Sequence, residues 1–152
     1  MSRKLFTAGC VALIVTGLVH LLGHYQLVTS PGQTEHDRQL LAMMRADPQD
    51  MGFGMMRTMF HFLTGFSLTF STLPIGMGLA GFVVRRYAAS APGLLSQMAI
   101  VYAITWGVML AIGLVYFFSV PDAFIATVFL LFAASALTAP RVTMASTPSG
   151  RS

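Results

Sequence analysis

Charge is what this sequence has least of. Only 9% of its 152 residues are Asp, Glu, Lys or Arg, against roughly 25% in soluble domains, which argues against a water-soluble globular fold. A single cysteine, Cys10, rules out an internal disulfide, and its place near the start of an apolar run marks it as a small packing residue. Acids are scarcer still. Of the five, Glu35, Asp37, Asp47 and Asp50 sit between apolar stretches and Asp122 opens the last one. Carriers driven by protons or sodium usually hold a carboxylate near mid-bilayer, so the lack of one there argues against an ion-coupled transporter acting alone. No arrangement of nucleophile and base stands out, and there is no internal repeat.

Apolar residues are present in abundance, at 55% of the chain. They gather in four stretches, about 5–28, 57–84, 94–118 and 121–139. Each meets the requirement of about 20 residues to cross a hydrocarbon core of about 30 Å. Backbone polar groups in lipid must be paired within the segment, so the stretches are expected to be helices. The predicted fold is an all-α integral membrane bundle of four transmembrane helices occupying residues 1–141. The remaining 142–152, rich in Ser, Thr and Pro, reads as a disordered cytoplasmic tail.

The basic residues Arg3, Lys4, Arg85, Arg86, Arg141 and Arg151 fall in the flanks that alternate with the acidic ones. By the positive-inside rule, the N and C termini lie in the cytoplasm and the acidic segments outside. The formal charge of +4 is therefore a topology signal, and no nucleic-acid partner is expected. Thr7-Ala8-Gly9-Cys10 faintly resembles a lipoprotein cleavage box. The apolar run is too long and the cysteine too early, so an uncleaved first span is expected.

The first outer loop is the only sizeable extramembrane segment. Thr34 is a good N-cap, Glu35 and Asp37 suit the positive end of a helix, and Asp47-Pro48 stops it. Leu40, Leu41, Met43 and Met44 supply an apolar side, so a short amphipathic helix lying at the outer surface is predicted. In the second stretch Pro74 should free the carbonyl of Phe70 and kink the helix, with Ser71 and Thr72 placed to satisfy that carbonyl or its neighbours. Gly76-Met77-Gly78-Leu79-Ala80-Gly81 matches G-x-G-x-x-G. No strand precedes it, so close helix approach explains it better than a dinucleotide.

Ionisable groups inside a membrane are functional candidates by default. Here they are His20 and His24 in the first stretch and Arg57 and His61 at the start of the second. Each pair is four residues apart on one helix face. Counting from Leu5, His20 is about 22 Å and His24 about 28 Å along the first helix, while His61 is about 6 Å below Arg57. All four converge on the outer leaflet, and Tyr116 near the outer end of the third stretch is placed to join them.

That cluster permits several chemistries. A bis-histidine haem b would take His24 or His20 opposite His61. A metal site would take His20, His24 and His61. Met51, Met55 and Met59, read as one helix face, would favour copper in its soft Cu(I) state. A quinone or lipid headgroup would use histidine donors, Arg57 as charge anchor, and Tyr102, Trp106 and Tyr116 as aromatic wall. Plainer readings exist for the same residues. His24 and Tyr25 fit interfacial anchors, Arg57 a snorkelling side chain, the methionines flexible packing and Trp106 a core filler.

Gly17-Leu18-Val19-His20-Leu21 late in the first stretch, with Gly65-Phe66-Ser67 after His61, resembles the small four-helix DoxX-like bacterial membrane proteins. The resemblance implies an inner-membrane protein, of a kind sometimes found beside redox or quinone enzymes, and it transfers no catalytic residue. The expected function is non-enzymatic: a small accessory or subunit protein whose His/Arg cluster binds a lipid, a quinone, a membrane protein partner or a second copy of itself. The alternative is a redox protein carrying haem b or copper between the first two spans.

Overall fold

The computed structural model describes residues 2–30, 32–88, 90–91 and 93–139; the tail expected at 142–152 lies outside them. Among the described residues there are five helices: α1 (Ser2–Thr29), α2 (Glu35–Ala46), α3 (Met59–Tyr87), α4 (Leu94–Tyr116) and α5 (Ser119–Leu137). Two short strands, β1 (Gln49–Asp50) and β2 (Met56–Arg57), pair antiparallel between α2 and α3. Helices α1, α3, α4 and α5 are long and apolar enough to cross a membrane, the pattern of a multi-pass membrane protein. Only 22–28% of each span's most apolar window is buried within the protein, which leaves most of that surface for lipid or a neighbouring protein.

The chain forms two compact units, one of residues 1–12 with 80–152, the other of residues 13–79. In the first, α4 and α5 pack along each other around an aromatic triad. Phe6 meets Phe132 edge-on at 5.4 Å, Tyr102 meets Phe132 edge-on at 4.9 Å, and Phe6 stacks on Tyr102 at 6.3 Å. Edge-on and offset rings are the arrangements their quadrupoles favour. Glycine makes the closeness possible: a Cβ on Gly9 would fall 2.8 Å from the Phe132 ring, and one on Gly81 would run into the Cys10 sulfur. The Ser135 hydroxyl donates to the Ser2 carbonyl at 3.1 Å, so this buried hydroxyl also pairs.

In the second unit, α1 and α3 make close antiparallel contacts. A Cβ on Gly17 would come within 2.5 Å of the Ser71 carbonyl oxygen and 2.7 Å of the Ile75 side chain. Of the glycines in G-x-G-x-x-G, Gly81 thus fits the close-approach reading, whereas Gly76 has nothing within 4 Å. Pro74 lies inside α3 as expected. The hydroxyls around it bond one turn back: Ser71 to the Ser67 carbonyl at 2.9 Å, and Thr72 to those of Leu68 and Thr69 at 3.0 and 3.2 Å. These bonds reach neighbours of the Phe70 carbonyl rather than that carbonyl itself.

Helix α2 starts on a reciprocal cap. The Asp37 N–H donates to the Thr34 hydroxyl at 3.1 Å while the Thr34 N–H donates to the Asp37 carboxylate at 2.9 Å. Hydrogen bonds from Thr34, through its side chain first and its backbone second, hold the Asp37 carboxyl below its ordinary 3.8. Arg38 pairs with Glu35 at 2.8 Å across one turn.

Candidate functional site

His20 marks the best-defined polar contact between α1 and α3. Its Nε2 lies 3.1 Å from the Ser67 hydroxyl, and its ring lies 6.2 Å from that of Phe70. One turn further along α1, His24 is buried, 9% exposed, and its Nδ1 has no hydrogen-bond partner within the protein. Another turn on, the guanidinium of Arg45 sits 4.4 Å over the Phe60 ring and reaches to 3.5 Å from the Val28 carbonyl. Toward the C-terminal end of α1, Gly17 lies against Ser71 and Ile75, His20 against Ser67, and the Arg45 guanidinium reaches both Val28 and Phe60. That register sets His24 level with Thr64, between the His20–Ser67 pair and the Arg45 clamp. An unpaired buried polar group carries a desolvation cost of about 1–3 kcal/mol, so His24 is the least satisfied side chain of this region.

His61 has a different role from the one expected. Helix α3 begins at Met59, so His61 is its third residue and Thr58 precedes the helix. The Thr58 hydroxyl accepts from the His61 N–H at 3.3 Å, while the Thr58 N–H donates to His61 Nδ1, also at 3.3 Å. This is a capping box in which histidine stands where glutamate or glutamine is usual. The Thr58 hydroxyl is also 2.9 Å from Nδ1. With Nδ1 accepting, the neutral ring carries its proton on Nε2. Ligation of iron or copper through Nε2 would require that proton to move to Nδ1, against the Thr58 N–H.

Among the described residues, no group of three His, Cys, Asp or Glu side chains is placed to hold a metal ion. His61 lies six residues, about 9 Å of helix rise, from the Ser67 that His20 touches. The expected convergence of His20, His24 and His61 on one depth is therefore corrected. It placed α3's start two residues too early and took depth from helix ends rather than from the contacts.

Arg57 is also displaced. It belongs to β2, not to α3, and its guanidinium donates to the neighbouring Met56 carbonyl at 2.8 Å. Met51, Met55 and Met59 do not share a helix face, because the first two flank a hairpin tip in which Met51 N–H donates to the Met55 carbonyl at 3.0 Å. In the other unit, Tyr116 ends α4 and is 78% exposed. Tyr102 is committed to the aromatic triad, so only Trp106 remains buried outside that cluster from the proposed wall. Asp122 lies in the first turn of α5, whose N-cap position Phe118 holds without a side-chain hydrogen bond. The Asp122 Oδ1 is buried and unpaired, against Gly113. Sequence reasoning gave Thr58 and Arg45 no role at the site and named Ser67 only within a resemblance, not as the partner of His20. Ser67 and Thr58 stand three or four residues from features that it did single out.

No protein family, curated protein or solved structure matches this chain.

Proposed function

We propose that this chain is a non-enzymatic accessory protein of a bacterial-type cytoplasmic membrane, with both termini in the cytoplasm, that holds the head group of a quinone at His24. The observation that carries the reading is the buried Nδ1 of His24, which has no partner within the protein. A quinone carbonyl is an acceptor that a neutral imidazole N–H on Nδ1 would satisfy. The neighbouring His20–Ser67 pair supplies a second polar contact one turn away. Few polar groups in an apolar setting are what small-molecule sites offer. An anionic lipid headgroup at His24 is less well served, because Arg57, the expected charge anchor, belongs to β2 and not to α3 beside that histidine.

The orientation rests on the basic pairs Arg3-Lys4 and Arg85-Arg86 and on the acids of the first loop. On this topology α2 lies at the outer face, as an amphipathic helix beside the headgroups. The resemblance of Gly17-Leu18-Val19-His20-Leu21 to DoxX-like proteins implies an inner-membrane protein of a kind sometimes found beside quinone enzymes. The test is solvent extraction of the protein purified in mild detergent, with quinone quantified by chromatography and absorption. Near-stoichiometric quinone that is lost in His24→Leu and retained in His61→Gln supports the site. Quinone at the level of bulk lipid carry-over in all three proteins refutes it, and a Soret band in the same sample would replace it with the haem reading.

A further inference from the structure

The hairpin between α2 and α3 exposes apolar side chains where a short polar turn would suffice. Six of the eleven methionines, Met43, Met44, Met51, Met55, Met56 and Met59, fall within residues 43–59. Methionine used for packing is buried, but Met51, Met55 and Met56 are 43%, 50% and 51% exposed. At the tip, Phe53 is fully exposed and sits at φ 55° between Gly52 and Gly54, whose φ values are 102° and 73°. A left-handed phenylalanine is strained, and nothing among the described residues covers its ring.

The register sorts these side chains. Gln49 pairs with Arg57 and Asp50 with Met56, so the next step sets Met51 opposite Met55, as their backbone bond requires. Alternation along a strand then puts Gln49, Met51, Met55 and Arg57 on one face and Asp50 with Met56 on the other. The first face joins thioethers to a cation and leads to Phe53. The carboxylate is on the opposite face, bonded to the Gly52 N–H at 2.9 Å. Apolar groups that sink to the acyl boundary, beside a guanidinium that meets phosphate, are the pattern of an interfacial anchor. The chain passes from Arg57 straight into the apolar α3, so Phe53, six residues before Met59, lies within about 20 Å of that helix's start.

We infer that the 49–57 hairpin is a membrane foot: its Met51/Met55/Arg57 face lies on the lipid headgroups, with Phe53 inserted at the acyl boundary. The same face is poorly suited to a soft metal cation, since Arg57 neighbours the thioether pair. The inference rests on the membrane reading of α3 and is independent of quinone binding.

The test places a single tryptophan at the tip, Phe53→Trp with Trp106→Phe, in vesicles of phosphatidylcholine and phosphatidylglycerol. The expected result is blue-shifted emission, quenching by lipids brominated near the headgroup that exceeds quenching by those brominated deep in the chain, and several-fold weaker quenching by iodide than for free tryptophan. Emission of hydrated tryptophan with full iodide quenching overturns the inference. So does blue-shifted emission without bromolipid quenching, the mark of burial against a second copy or another protein. Should replacement of Trp106 unfold the chain, a nitroxide on Phe53→Cys reads the same difference through oxygen against nickel-chelate accessibility, and greater nickel access overturns it.

Discussion

Replacing Gly17 with alanine adds one methyl group at a place where two backbones nearly touch. The new Cβ would lie 2.5 Å from the Ser71 carbonyl oxygen and 2.7 Å from Ile75 Cγ1. A carbon meets a carbonyl oxygen at about 3.3 Å at closest, so α1 and α3 must separate there by about 0.8 Å. Ile75 can rotate away, but the Ser71 carbonyl is part of a helix carrying its neighbours. The displacement also acts one turn away, where a shift of this size would stretch the 3.1 Å His20–Ser67 contact beyond hydrogen-bonding range. Overpacking of this kind costs about 1–3 kcal/mol, a loss of roughly 5- to 150-fold in the folding equilibrium. Gly23, on the same helix, has nothing within 4 Å, so Gly23→Ala is the matched control, expected neutral or slightly stabilising. Reversible unfolding by dodecyl sulfate titration in mixed micelles measures both. A double-mutant cycle with Ser67→Ala adds a second reading, since loss of Ser67 should cost little further once Gly17 is alanine. Equal stability of the Gly17→Ala and Gly23→Ala proteins would refute the argument.

Thr58→Ala removes the cap of α3 and is expected to cost about 1 kcal/mol in the same assay, whereas His61→Gln should preserve stability because glutamine can complete the box; a large loss in His61→Gln would restore a ligand role to the ring. The Asp37 carboxyl is held below its ordinary 3.8 by Thr34, so its contribution to the start of α2 is present above that value and is lost as pH falls through the lower folded-state value. Amide protection factors of residues 35–38, corrected for the intrinsic pH dependence of exchange, should therefore hold down to about pH 4 and fall below it, and Thr34→Ala should return the Asp37 titration, followed by NMR, to the ordinary range.

The four spans were legible because length and hydropathy are summed over some twenty residues, and errors at either end leave the sum unchanged. Small features did not average in this way. Met51 and Met55, four apart, match a helix face, yet residues four apart also face each other across a three-residue tip such as Gly52-Phe53-Gly54. The spacing alone does not distinguish the two; the glycines on either side of Phe53 favour the turn. The cap at Thr34 was readable because Asp37 stands three residues on, whereas Thr58 followed by His61 is the same device with an unusual partner. His20 and His24 were singled out by scarcity of charge in lipid. Which of them is unsatisfied depends on Ser67, a residue 47 positions away from His20, and on the register of two helices that only their packing sets.

Cys10 gives the first unit a built-in reporter of its own opening. The thiol is wholly buried and lies against Gly81, so a thiol-specific reagent in solution finds no target in the intact protein. Labelling must await a fluctuation that parts this stretch of α1 from the end of α3. When closing outruns the reagent, the labelling rate measures the free energy of that fluctuation. The chain's one cysteine thereby separates local breathing around the Cys10–Gly81 contact from events elsewhere, with no probe introduced.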